Sequence, residues 1–274
     1  MNALKLVKHT TAENSPGLTI IVPVYNEEKT LCEALCQLIE ASSSFPSEII
    51  VVNDGSSDRS ASIIREFNHL LNIRFVDLPE NHGKGNAVQL GIRLASMSHV
   101  IIFDVDLEYS PYDISRLFAA VQMGLANVVY GVRMPGLNSM QPSLTFALGR
   151  RILTQVTNII YGTAINDLHT CLKLIPIDFL RKLELTESGF GLDTEITALI
   201  LRNGLRPFEM PITYIGRGAL EGKKIRKRDG FDCLRILIKM RFSKKVEYRY
   251  RTSIPDFSRF RFDHLQNSKV VELS

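Results

Sequence analysis

Four cysteines in 274 residues, Cys32, Cys36, Cys171 and Cys233, are too few and too irregularly spaced for a disulfide framework. No two of them form a CxxC pair, so the usual zinc spacing is missing as well. Cys32 and Cys36 stand four apart in a helical pattern and read as packed thiols, which suits a reducing compartment. Long apolar runs are also missing. The opening residues, MNALKLVKHTTAENSPG, contain no stretch that suits a signal peptide. Nothing approaches the ~18 apolar residues of a spanning helix, so the expectation is a soluble protein or one held on a membrane surface. There is no internal repeat and no low-complexity segment. A hydrophobic content of 45% is enough for a real core, and 23% charged residues argue against disorder.

Charge of one sign is short over most of the chain and abundant in one place. From Arg217 to Arg251 there are 13 Lys or Arg against 4 Asp or Glu, a local balance of +9 within a formal net charge of +4. The remainder therefore carries −5, and one end of the chain is built to meet anions. Within the basic run GKKIRKRDG no aromatics are interleaved among the charges, which argues against nucleic acid as a partner.

Strand and helix patterns alternate regularly. LTIIVPV at Leu18–Val24, EIIVVN at Glu48–Asn53, residues 73–78, Val100–Phe103 and Asn127–Val132 read as five strands. Helical patterns run from Asn26 to about Ala41, from about Arg59, up to about Ser96, and onward from Ser110-Pro111. This order predicts an α/β fold with a mostly parallel twisted sheet and helices on both faces. Later helices are expected at Leu144–Tyr161, Leu192–Arg202 and Asp229–Phe242, with a strand at Pro207–Tyr214. In such a sheet, PVYNEE, NDGSSD, ENHGKG and DVDLE all follow the C-terminal ends of strands and share one edge, where ligands bind.

In DVDLE an apolar strand ends in three carboxylates at alternate positions. In extended backbone the side chains at i, i+2 and i+4 point the same way. Asp104, Asp106 and Glu108 could then gather around one hard divalent cation, and oxygen-only ligands suit Mg2+ or Mn2+ rather than zinc. The plain alternative is a polar loop whose acids cap the following helix. HGKGNA lacks both the GK[ST] of a P-loop and the full GxGxxG of dinucleotide binders, so its glycines read as a tight turn.

Taken together, IVPVYNEEKTL, IIVVNDGSSDRS, NHGKGNAVQLGI, IIFDVDLEYSPYDI, VVYGVRM, DLHTCLKLIP, FGLDTEITALILRNGLRPFEMPITYIGR and EGKK resemble, in order, the family 2 glycosyltransferases of GT-A fold. The chain is most similar to the dolichol-phosphate mannosyltransferase and polyprenyl-phosphate glycosyltransferase group. The resemblance implies an inverting enzyme that takes a sugar from a UDP- or GDP-sugar to polyprenyl phosphate or a membrane-associated glycan. It implies that Pro23, Tyr25 and Glu27 line the nucleobase pocket, that Asp54 lies near base or ribose, and that Lys84 lies close to the nucleotide. Asp104, Asp106 and Glu108 would hold the metal against the diphosphate. Gln is frequent in that group where Glu108 stands, and Glu makes the site more acidic. Arg150, Arg151, Arg217, Lys223 and Lys224 fall where the group binds acceptor phosphate or closes over the diphosphate, with a solvated basic face as the plain reading.

Arg133, at the end of the fifth strand, is expected to offset charge on the leaving diphosphate, the alternative being a surface arginine. Asp193 and Glu195 are the candidate bases. Two residues apart on a helix they point roughly 200° away from each other, so only one faces the site. A sugar hydroxyl acceptor needs such a base and a phosphate acceptor does not. An amide is usual at Asp193 in the mannosyltransferases, and Gly and an aromatic are common where Cys171 and Leu172 stand. The expected organisation is an N-terminal tail at 1–16 and a GT-A domain at 17–228, divided into a donor half (17–133) and an acceptor half (134–228). A basic amphipathic helix follows at 229–251, suited to anionic lipid or to packing on the domain, and a tail at 252–274. The expected place is the cytoplasm or the cytoplasmic face of the membrane. Rival readings are a non-catalytic nucleotide-sugar-binding module and a nucleotidyltransferase, although PVYNEE lacks the glycine- and arginine-rich first loop of the latter.

Overall fold

The structure is a computed structural model that describes residues 15–67, 69–70, 72–134, 139–140, 144–216, 228–246 and 248, with 139–140, 144–146 and 228–229 described by backbone alone. The elements run β1 (Leu18–Val24), α1 (Leu31–Ser42), β2 (Ser47–Asp54), α2 (Ser60–Glu66), β3 (Ile73–Leu78), α3 (Lys84–Leu94), β4 (His99–Ile102), α4 (Tyr112–Gln122), β5 (Val129–Val132), β6 (Ser139–Met140), α5 (Leu144–Tyr161), β7 (Lys173–Pro176), α6 (Ile177–Leu180), α7 (Leu192–Arg202), β8 (Phe208–Pro211), β9 (Tyr214–Ile215) and α8 (Arg228–Arg241).

Seven strands form one sheet in the order β3-β2-β1-β4-β7-β5-β8, and β6 pairs with β9 apart from it. All pairings in the large sheet are parallel except those of β7, which lies antiparallel between β4 and β5. Both faces are apolar because successive residues of β1 and β2 alternate between them. Ile21, Ile50 and Val52 pack with α3 and α7 on one side, while Ile20, Val22, Ile49 and Val51 pack with α1 and α4 on the other. The expected doubly covered sheet is thus present.

Several boundaries differ from the sequence expectation for tertiary reasons. α1 starts at Leu31 rather than at Asn26. The N–H groups of Asn26, Glu27 and Glu28 donate to the side chains of Ser56, Ser60 and Asp58, so the loops after β1 and β2 clasp each other instead of opening a helix. β7 was not foreseen, since its short run carries a lysine. The strand expected at Pro207–Tyr214 divides into β8 and β9, and between them Thr213 N–H donates to Asp113 at 2.7 Å. Cys32 and Cys36 are exposed, not packed, because α1 buries Leu31, Ala34, Leu35 and Leu38 on its other face.

Candidate functional site

The loops after β1, β2 and β4 and the N-terminus of α3 meet at the C-terminal edge of the parallel strands, as the alternation requires. Asp54 ends β2 almost fully buried, and its carboxylate accepts from the backbone N–H groups of His82 and Gly83 at 2.9 and 2.8 Å. It therefore orders the glycine loop. Gly83 has φ +93°, and a Cβ at Gly85 would stand 2.2 Å from Glu187 O. These glycines allow residues 187–188 to press on the loop, beyond merely permitting a turn. Pro23 and Glu27 are half-buried and Tyr25 is exposed at the same edge.

Lys84, set by that loop, donates to Asp104 Oδ2 at 2.7 Å and lies 3.9 Å from Asp193 Oδ2. Cys171 Sγ donates to the same Asp104 oxygen at 2.9 Å. Burial by itself would lower the Lys84 pKa, but Asp104, Cys171 and Asp193 beside it raise it well above the usual value, so it is a fixed cation. Burial pushes the Cys171 thiol up, and Asp104 adds to that. Lys173, wholly buried on β7, donates to Asp193 Oδ1 at 3.1 Å and to its carbonyl at 3.2 Å. Burial would raise the Asp193 carboxyl, yet Lys173 and Lys84 bring it below the usual range.

Of the two candidate bases, only Asp193 is turned toward Lys84. Glu195, 0% exposed, accepts from the N–H groups of Thr186 and Glu187 and from the Thr186 hydroxyl at 2.8–3.0 Å. It anchors the strip that presses on the glycine loop, where Ser188 O accepts from Gly85 N–H at 2.6 Å.

A second charged group flanks the first. Asp167, fully buried, accepts from Arg133 Nε and Nη2 at 2.7 and 2.8 Å and from Arg150 Nη1 at 2.9 Å. Burial alone would raise this carboxyl, but the two arginines hold it far below the usual range. Arg133 is only 10% exposed, so the surface-arginine reading fails, and its guanidinium lies over the rings of Tyr214 and Tyr109 at 5.0 and 5.9 Å. Two arginines thus share one aspartate, and the Glu108 carboxylate lies on the Tyr214 hydroxyl beside them. Arg151 points to solvent instead. Arg217, Lys223 and Lys224 lie outside the described residues.

The acidic stretch does not have the extended shape expected of it. β4 ends at Ile102, and Leu107 takes a left-handed φ of 60°. Asp104 goes to Lys84, Asp106 Oδ1 accepts from Glu108 N–H at 3.1 Å, and Glu108 accepts from the Tyr214 hydroxyl at 2.7 Å. Among the described residues no three His, Cys, Asp or Glu side chains gather closely enough to hold an ion by themselves. The three-carboxylate cage read from the spacing is corrected accordingly. The donor set still fits a hard cation that takes one or two carboxylates and completes its shell with water and diphosphate oxygens.

Lys173, Asp167, Tyr109 and Tyr214 carry much of this geometry, and no motif or spacing in the sequence singles them out. The signal for Lys173 was a lone charge inside the apolar run CLKLIP.

Solved structures share the fold. Glucosyl-3-phosphoglycerate synthase from Mycobacterium tuberculosis, in complex with Mn2+, UDP and glucosyl-3-phosphoglycerate, superposes with a TM-score of 0.62 at 16% identity, over 82% of this chain and 80% of that one. Staphylococcus aureus TarS 1-349 in complex with UDP-GlcNAc gives 0.55 at 18% identity, over 82% and 66%. In sequence, the poly-beta-1,6-N-acetyl-D-glucosamine synthase of Staphylococcus epidermidis is 41% identical over 106 residues, 38% of this chain and 25% of that protein. The undecaprenyl-phosphate 4-deoxy-4-formamido-L-arabinose transferase of Edwardsiella ictaluri is 39% identical over 111 residues, 39% and 34%. The matched stretch thus spans only a quarter to a third of these relatives' own length. The model for "Glycosyl transferase family 2" matches residues 19–180, more than half of the chain and all four convergent loops, and with that match the chain belongs to glycosyl transferase family 2.

Proposed function

We propose that this chain transfers a sugar, with inversion, from a nucleotide diphosphate sugar to a phosphate-bearing acceptor at a membrane, of the polyprenyl-phosphate kind. The observation that carries the acceptor is the pair Arg133 and Arg150 on the single buried Asp167. It offers two planar, largely buried guanidinium groups that share one carboxylate, which suits a phosphate better than a neutral sugar. Asp193 supports the same reading. A carboxylate held by Lys173 and near Lys84 draws protons weakly, and an ionised phosphate needs no base. The undecaprenyl-phosphate transferase among the relatives favours a lipid phosphate over a glycan, and the UDP in the structural neighbours favours UDP over GDP. The place of action is then the cytoplasmic face of the membrane. No helix among the described residues is long and apolar enough to cross one.

In this reading the donor half, 17–133, holds the nucleotide between Pro23, Tyr25 and Glu27, and the acceptor half, 134–228, brings the phosphate. A phosphate oxygen of the acceptor attacks the anomeric carbon from the face opposite the leaving group. The bond from that carbon to the diphosphate oxygen breaks, and its electron pair leaves with the nucleoside diphosphate. Lys84 and Arg133 offset the charge that develops there. Mg2+ or Mn2+, held by Asp104 and Asp106 together with the diphosphate, supplies a Lewis-acidic counter-charge when bound. Arg151, exposed on α5, adds positive charge for the acceptor, a role that the sequence resemblance also suggests for Arg217, Lys223 and Lys224.

The test is release of nucleoside diphosphate from a panel of UDP- and GDP-sugars, with and without polyprenyl phosphate, in Mn2+, Mg2+ or EDTA. One donor consumed with metal, faster with the lipid phosphate, and inactive in Asp106→Ala, is expected. Binding of donor without turnover under every condition would leave a binding module and overturn the reading.

A further inference from the structure

α8 is apolar on two opposite sides. Cys233, Ile236, Leu237 and Met240 are buried against the domain, and Tyr161 at the end of α5 donates to Leu237 O at 2.8 Å. Phe231, Leu234, Ile238 and Phe242, spaced by three and four, form a second stripe on the far side of the helix. They are 79%, 36%, 49% and 81% exposed. A domain that needed α8 only for packing would present a polar outer face. Charged groups instead flank the stripe, with Asp232, Arg235 and Lys239 on one side and Arg241 on the other, a balance of three cations to one acid, and Arg235 lies 3.9 Å from Asp232. The neighbouring α5 also exposes Leu148, Ile152 and Ile159.

A cleft of about 220 Å³ opens where α5, α7 and α8 end together, lined by Arg202, Arg206, Arg241 and Lys245. The three arginines donate to backbone carbonyls of Ser243, Leu205 and Ile160. Among the described residues no carboxylate pairs with any of the four cations. Helix-end capping uses part of their donor capacity and leaves the cleft positively charged.

We propose that the outer face of α8 lies in the surface of an anionic bilayer, with Phe231, Ile238 and Phe242 in the acyl boundary and a lipid headgroup phosphate in the cleft of Arg202, Arg206, Arg241 and Lys245. Charge selects this occupant. A second copy would set two net-positive faces and their clefts against each other, and a neutral apolar partner would leave the cleft uncompensated. An anionic lipid surface satisfies the stripe and both basic features together. The placement deepens the reading of a membrane-borne acceptor and rests on it for its purpose. Its test needs neither donor nor turnover, so the two can fail separately.

The purified chain is sedimented with vesicles of phosphatidylcholine alone or mixed with phosphatidylglycerol. Binding to the mixed vesicles that weakens with salt is expected. Phe231→Ser with Phe242→Ser should weaken it at least ~10-fold, by the apolar area lost. The melting curve and donor hydrolysis should be unchanged, since both side chains are exposed. Lys245→Ala should lower the preference for anionic vesicles. Equal binding to both vesicle types, or binding untouched by the phenylalanine changes, overturns the proposal. So does a dimer in light scattering that the double variant disperses while vesicles are ignored. Full competition by inorganic phosphate would assign the cleft to a soluble anion and overturn the bilayer placement.

Discussion

The Lys84 ammonium stands 2.7 Å from Asp104 and 3.9 Å from Asp193, joining the end of β4 to the start of α7 across the candidate site. This lysine supplies part of the positive charge that a stretch of three acids calls for. Lys84→Met leaves two largely buried carboxylates without it. Donor hydrolysis should fall at least ~100-fold, with the loss mainly in kcat. A variant that keeps wild-type kcat would remove Lys84 from the reaction.

Asp193 and Glu195 separate cleanly in what they touch, and their variants should separate too. Asp193→Asn should keep transfer to a phosphate acceptor within about 10-fold, since no proton has to be taken, whereas a hydroxyl acceptor would lose 100-fold or more. Glu195→Ala leaves the N–H groups of Thr186 and Glu187 without their acceptor. It should cost about 2–3 kcal/mol of stability, read as a lower urea midpoint.

Arg150→Ala should raise KM for the phosphate acceptor about 10-fold and leave slow donor hydrolysis unaltered, because Arg133 keeps both of its bonds to Asp167. Arg151→Ala, at an exposed position, should have a smaller effect. Equal effects of the two variants would deny Arg150 a special place.

EDTA should stop turnover, and Mn2+ or Mg2+ should restore it. Asp106→Ala should not be rescued at any metal concentration tried, while Glu108→Gln should keep much of the activity, because Glu108 is engaged with the Tyr214 hydroxyl. Loss in Glu108→Gln as complete as in Asp106→Ala would count against that division.

Stability should fall in weak acid. Burial lowers His99 to about 4 and, with Lys173 nearby, lowers His169 to about 4. Unfolded histidines bind protons near 6.5, so their contribution is complete above that value and is lost as pH falls towards 4. For His99, only 8% exposed, the loss is on the order of 1–3 kcal/mol. His99→Gln should flatten the urea midpoint between these values. A midpoint as steep as before would shift the cause elsewhere.

The sequence legibly gave the strand–loop convergence because periodicity is local: β1, β2 and β4 are short apolar runs, and each is followed by a polar loop at the same end of its strand. Helices α5 and α7 fell where their apolar spacing put them. The antiparallel β7 was hidden because Lys173 interrupts its run and finds its partner, Asp193, 20 residues away. α1 starts later than its spacing suggests because Ser56, Asp58 and Ser60, on another loop, take the N–H groups that a helix would have used.

What the sequence alone determined is the class of fold, the edge where ligands meet it, and the residue types gathered there, since all of these follow from spacing along the chain. Only the tertiary structure decided how those residues are used. The bend at Leu107 dispersed the three acids that alternate spacing had gathered. Packing buried Glu195 under the strip beside the glycine loop and turned Asp193 to two lysines. It also set two arginines on one aspartate and left α8 with an apolar face outward. The reason is that an ion pair or a packed face depends on partners far apart in sequence, and spacing carries no record of their approach.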